Sequence, residues 1–122
     1  MRRVALCAAF VACAVAGGVL AAPSLRVSLQ TQGHTVAPGG AWAYYLRVSQ
    51  GNRPWRGTVE LAVRRPTGKL VDDVGRFAID GTLLRSYVWN SADKGTYDFT
   101  VAVTQGNKTL RTITYPVLVR HG

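Results

Sequence analysis

Beyond its first two dozen residues the sequence predicts an all-β domain built as two antiparallel sheets packed face to face. Three observations predict it. Apolar side chains recur at every second position through most of the chain, no window sustains a helical period, and turn residues punctuate the runs at the short spacing of a sandwich. Side chains two apart on a strand share a face, so one apolar and one polar face per strand means that each sheet hides one side and wets the other. Two such sheets facing each other satisfy the pattern; a closed small barrel would satisfy it too.

The elements follow in order. Leu25, Val27 and Leu29 alternate with Arg26 and Ser28. Trp42, Tyr44, Leu46 and Val48 alternate with Ala43, Tyr45, Arg47 and Ser49, and Val59, Leu61 and Val63 with Thr58, Glu60 and Arg64. A shorter segment carries Phe77 and Ile79, and Leu83 to Trp89 is strand-like without showing which face turns inward. Tyr97, Phe99, Val101 and Val103 alternate with Asp98, Thr100 and Ala102. The last strand, about Leu110 to Arg120, aligns Ile113, Tyr115, Val117 and Val119, with Pro116 suggesting a bulge or a sheet edge. The punctuation is Pro38-Gly39-Gly40, Gly51-Asn52, Pro66-Thr67-Gly68, Asp80-Gly81, Asp93-Lys94-Gly95 and Gly106-Asn107.

Residues 1–21 read as an export signal and 22–122 as the domain. Met1-Arg2-Arg3 is a positive start, Val4 to Leu20 is apolar but for Gly17 and Gly18, and cleavage after Ala21 puts Val19 and Ala21 at the small-residue subsites. Uncleaved, the run approaches the roughly 20 residues of a spanning helix and would act as an anchor. A lipidated Cys13, in Val11-Ala12-Cys13, is a second route to the membrane. The expected location is exported, in a periplasm or outside the cell. Both cysteines, Cys7 and Cys13, fall in the signal, so the processed chain has no disulfide, thiolate metal site or cysteine nucleophile. At about 100 residues it can bury enough apolar surface without such staples.

Removing Arg2 and Arg3 leaves 13 basic residues against 6 acidic, a net charge of +7. That surplus favours anionic neighbours, a protein or an envelope polymer, and export points away from nucleic acid. Catalysis is poorly supplied, and no cofactor is implied. The processed part has two histidines, His34 beside a turn and His121 at the chain end, and one acidic pair, Asp72-Asp73, whose side chains point to opposite faces on a strand. His34, Asp72 and Asp73 are the residues from which a metal site could be assembled, but no short ligand spacing announces one.

The turn Gly33, Val36, Pro38, Gly39, the strand Gly57-x-Val59-x-Leu61-x-Val63 with its exit at Pro66 and Gly68-Lys69, and the corner Asp93-Lys94-Gly95-Thr96-Tyr97-Asp98-Phe99 together resemble the bacterial immunoglobulin-like domains, in the variety seen in fibronectin type III modules and macroglobulin domains. The resemblance implies an immunoglobulin-like antiparallel β-sandwich of about seven strands. It also implies a Tyr97 packed beneath the chain with its hydroxyl bonded back to the backbone. The antibody-type cysteine pair and the thioester motif are absent. What carries over is a recognition role outside the cytoplasm, and fold alone is weak evidence for that.

An internal echo marks the candidate site. Val48-Ser49-Gln50-Gly51-Asn52-Arg53 and Val103-Thr104-Gln105-Gly106-Asn107-Lys108 close two strands alike, and in such a sandwich both loops emerge at one end, gathering Arg53, Trp55, Arg56 and Lys108. Trp55 follows Pro54 and sits between two arginines, in residue types that concentrate binding energy. It reads equally as a contact residue and as a cap folded over the core. Tyr45 and one of Tyr87 or Trp89 are expected on an outer sheet face, where they could stack on sugar rings. The function expected is therefore a non-catalytic binding module using the basic loop end, with a carbohydrate-binding module or a structural subunit pairing through an edge strand as alternatives.

Overall fold

A computed structural model describes residues 24–90 and 94–120. The segment expected to be an export signal, with Cys7 and Cys13, lies outside the described residues, as do Asp93 and His121. Those described form nine strands: β1 (Leu25–Thr31), β2 (Thr35–Val36), β3 (Ala41–Gln50), β4 (Arg53–Pro54), β5 (Arg56–Arg64), β6 (Leu70–Asp80), β7 (Thr82–Val88), β8 (Gly95–Gln105) and β9 (Lys108–Val119). β2 and β4 are two-residue additions; the other seven correspond to the strands read from alternation.

Pairing runs β1-β3-β7-β6-β5-β8-β9-β2, with β4 added to β3. β6 and β7 share only Asp80 opposite Thr82, across Gly81, so the path folds there into two layers, β1-β3-β7 and β6-β5-β8-β9-β2. Its two ends, β1 and β2, do not pair with each other. The layers stack; they do not close into a barrel.

The core lies where β3 faces β8. Trp42 and Tyr44 each hold their ring centroid 5.1 Å from that of Phe99 across the gap, and Leu46, Val48, Val59, Leu61, Val63, Val101 and Val103 are buried around them. Each such side chain contributes about 1.5–3 kcal/mol relative to exposure, which is why alternation this strict fixes the faces. Thr104, the buried polar residue among them, is satisfied by the Thr58 hydroxyl at 2.7 Å.

One open side of the sandwich is laced by side chains and β2. The Thr31 hydroxyl donates to the Tyr115 hydroxyl (2.8 Å), the Trp42 indole donates to the Gly33 carbonyl (2.9 Å), and His34 stacks on Tyr115 while its Nδ1 donates to the Pro116 carbonyl. On the other side, where β6 and β7 splay, Arg85 lies over the Phe77 ring and the Tyr87 hydroxyl donates to Asp72.

Three local expectations are corrected. β6 runs for 11 residues, not for the short stretch around Phe77 and Ile79. Val74 is the extra residue between Asp73 and Gly75, with Gly75 at a positive φ of 136°, so alternation is broken midway. In β9 the irregularity falls at Leu110, while Pro116 keeps its register opposite Asp98. Tyr97 packs beneath the chain against Trp89 and the Arg65 guanidinium, but its buried hydroxyl makes none of the backbone bonds the resemblance implies.

Candidate functional site

The echoed turns are built alike: Gly51 and Gly106 both have φ 60°, the left-handed conformation that glycine adopts without steric cost. The register places both at one end of the domain, because Thr58, two residues into β5, pairs with Thr104 at the close of β8, and Leu25 at the start of β1 pairs with Gln50. From that end the expected residues go to different places.

Trp55 goes inside. It is 7% exposed and belongs to the core cluster, with its ring laid over Gly57. Of the two sequence readings this burial fits the cap, and the surface at this end is formed without its indole. Arg53 lines a groove of about 690 Å³ on the outer side of β1, β3 and β4, together with Arg26 and Arg47, the side chains Ser28, Ser49 and Thr82, and the turn at Gly51 and Asn52. Arg56 lies beside the groove, paired at 3.2 Å with Asp80 on its rim. Lys108 opens β9 in the other layer and does not line the groove.

The geometry of the groove follows from register. On the outer face Arg26 stands opposite Ser49, and Ser49 opposite Pro54. The next row is Ser28, Arg47, Thr82, and the one after it Gln30, Tyr45, Leu84. Arg26 and Arg47 are thus diagonal neighbours on one face. The floor is held by three backbone bonds: Trp55 N–H to the Val48 carbonyl (3.0 Å), Val48 N–H to that of Gly81 (2.8 Å), and Gly81 N–H to that of Trp55 (2.9 Å). Buried Trp55 thereby positions Arg53 and Arg56 on either side of it.

Among the described residues the side chains of Arg26, Arg47 and Arg53 make no hydrogen bond or ion pair, and Asp80, the one carboxylate lining the groove, is engaged by Arg56. Guanidinium groups brought together around a concavity without counter-charge repel one another. An arriving phosphate, sulfate or carboxylate relieves that repulsion and accepts their forked N–H groups. A lining that is evenly polar and apolar and carries three guanidinium groups differs from the mostly apolar pockets that take drug-like molecules.

Tyr45 lies on the outer face, half-buried, one row beyond the groove. The aromatic strip expected around it is not assembled: Tyr87 turns inward toward Phe99, and Trp89 is buried against Trp42. No three His, Cys, Asp or Glu residues among those described are grouped as metal ligands. His34 flanks β2 at one margin of its layer and Asp72-Asp73 lie in β6 at the other.

The sequence matches no protein-family model and no curated protein. Among solved structures it is similar to the CARDB domain of the PF1109 protein from Pyrococcus furiosus, crystallised in complex with di-metal ions, with a TM-score of 0.56 at 16% identity over 81% of this chain and 90% of that one. The solution structure of the same domain gives 0.46 at 16% identity, over 80% and 96%. The alkylpurine DNA glycosylase AlkC of Pseudomonas fluorescens gives 0.46 at 14% identity, over 81% of this chain but 31% of its own length. The first likeness supports the immunoglobulin-like β-sandwich class and does not distinguish a fibronectin type III or macroglobulin variety.

Proposed function

We propose that this chain is an exported, non-catalytic binding module that receives an anionic group of a protein or envelope polymer in the groove of Arg26, Arg47 and Arg53. The observation that carries the reading is the gathering of three guanidinium groups without partners on a floor fixed by backbone hydrogen bonds. The absence of an acid–base pair in the groove, whose one carboxylate is tied to Arg56, supports binding over catalysis. The net surplus of positive charge steers anionic partners toward the domain.

The test is binding of the purified protein to immobilised polyphosphate and polyglutamate. Arg47→Ser/Arg53→Ser is expected to weaken binding by about tenfold or more per arginine, since hydrogen bonds to charged groups are worth about 1.5–3 kcal/mol. Lys69→Ser/Arg120→Ser removes the same charge from exposed positions outside the groove and is expected to cost far less. Equal losses from the two pairs would reduce the groove to general electrostatics and refute the proposal.

A further inference from the structure

We infer that the anionic group received in the groove is the phosphate of a lipid surface, in place of the protein or polymer named above, met by the whole outer face of the β1-β3-β7 layer; this rests on the reading of the groove as an anion site. Beyond the row of Gln30, Tyr45 and Leu84, the outer face continues with Ala43 opposite Ser86 and ends with Ala41 opposite Val88. Leu84 is 71% and Val88 62% exposed, more than any other large apolar side chain among the described residues. Both stand on β7, which pairs with β3 along one side and meets β6 only at its first residue, so they form the rim of the layer.

The same three strands carry no carboxylate at all. Glu60, Asp72, Asp73, Asp80 and Asp98 all lie on β5, β6 and β8, in the other layer. One face therefore has unpaired arginines at one end, a half-buried tyrosine in the middle and bare aliphatic side chains at the other end, and the one acid at its margin, Asp80 on the rim of the groove, is paired with Arg56. Phosphate headgroups over an acyl interior supply both complements: arginines reach phosphates on long stems, a tyrosine ring suits the boundary, and leucine and valine enter below it. A second copy of the chain fits poorly, because two-fold face-to-face packing would set Arg26, Arg47 and Arg53 either against their own equivalents or against the aliphatic end of the other copy, burying them without a counter-charge either way.

The experiment is co-sedimentation of the protein with phosphatidylcholine vesicles, with and without admixed phosphatidylglycerol, run beside the polyphosphate and polyglutamate assays. Binding is expected to anionic vesicles only, and to weaken as salt is raised. Arg47→Ser/Arg53→Ser is expected to lose about fivefold per arginine on those vesicles. Leu84→Ser/Val88→Ser, at exposed positions that the fold does not need, is expected to lose about tenfold on vesicles while binding polyphosphate as the parent does. Failure to bind vesicles while polyphosphate or polyglutamate is still held would overturn the lipid inference and leave the groove standing, pointing to a soluble acidic partner. Vesicle binding indifferent to Leu84 and Val88 would also overturn it, by showing the apolar rim to be uninvolved. Failure to bind any of the probes would remove the groove reading itself.

Discussion

Replacing Gly57 by alanine tests the placement of Trp55, on which the shape of the loop end depends. A Cβ at position 57 would lie 2.1 Å from the indole Cη2, 2.5 Å from Cζ3 and 2.7 Å from Cζ2, so the ring must retreat by more than an ångström. Complete expulsion would forfeit about 150–250 Å² of aromatic burial, some 4–6 kcal/mol, and tryptophan truncations in cores cost about 3–5 kcal/mol. A ring that swings partly free should cost less, and about 2–4 kcal/mol is expected for Gly57→Ala. Gly57 is not among the glycines at positive φ, so without the indole an alanine is welcome there, and restricting the unfolded chain stabilises by about 0.5–1 kcal/mol. Gly57→Ala should therefore destabilise the parent and be neutral or stabilising in a Trp55→Ala background. Urea unfolding of the four proteins of this double-mutant cycle gives the coupling directly. Equal effects of Gly57→Ala in both backgrounds, or a Trp55→Ala cost below about 1 kcal/mol, would show that the indole does not cap the core.

Three further outcomes follow from the same packing. Gly81→Ala forces a side chain onto a φ of 82° with its Cβ 2.6 Å from that of Pro54; it should cost about 2 kcal/mol, seen as a lower Tm, and weaken polyphosphate binding because the groove floor shifts. Burial pushes the Tyr44 hydroxyl above its ordinary pKa of 10.0, against the opposing pull of the Arg85 guanidinium. Its folded form holds the proton longer than the unfolded chain does, so this contribution is fully present below pH 10 and is lost as pH rises beyond it. Tyr44→Phe should be neutral or stabilising at pH 7 and should show a shallower alkaline fall in Tm. Tyr115→Phe removes the acceptor of the 2.8 Å bond from Thr31 and should cost about 1 kcal/mol in urea unfolding.

The layers of this fold are legible from alternation because the buried faces of β3, β5 and β8 are uninterrupted: a one-residue slip anywhere in Trp42 to Val48 would turn four buried side chains to water. β6 was not legible at full length because the bulge at Val74 reverses which residues face inward, and a pattern that changes parity midway looks like two fragments. The inward face of β7 was ambiguous for another reason. Leu83 and Leu84, like Tyr87 and Val88, are adjacent apolar pairs, and only pairing with β3 decides that Leu83 and Tyr87 turn in while Leu84 and Val88 turn out.

The candidate site divides along the same line. The shared end of the two Gln-Gly-Asn turns could be read from the sequence, since it needs only the strand order of a sandwich, and it led to Arg53. Arg26 and Arg47 could not be found that way, because each is an unremarked polar residue on an alternating strand, and their nearness to Arg53 exists only once Arg26 is set opposite Ser49 and Ser49 opposite Pro54. Trp55 carried the strongest residue-type signal in the loop and proved to belong to the core. The reason is local: β4 and β5 are separated by that single residue, and with Arg53 and Arg56 both exposed, Trp55 is the apolar side chain available to close the end of the sandwich over Gly57. A tryptophan between two arginines signals a surface only if something else covers the core beneath it. Here the indole does the covering, and the cations it displaces outward are what a partner would meet.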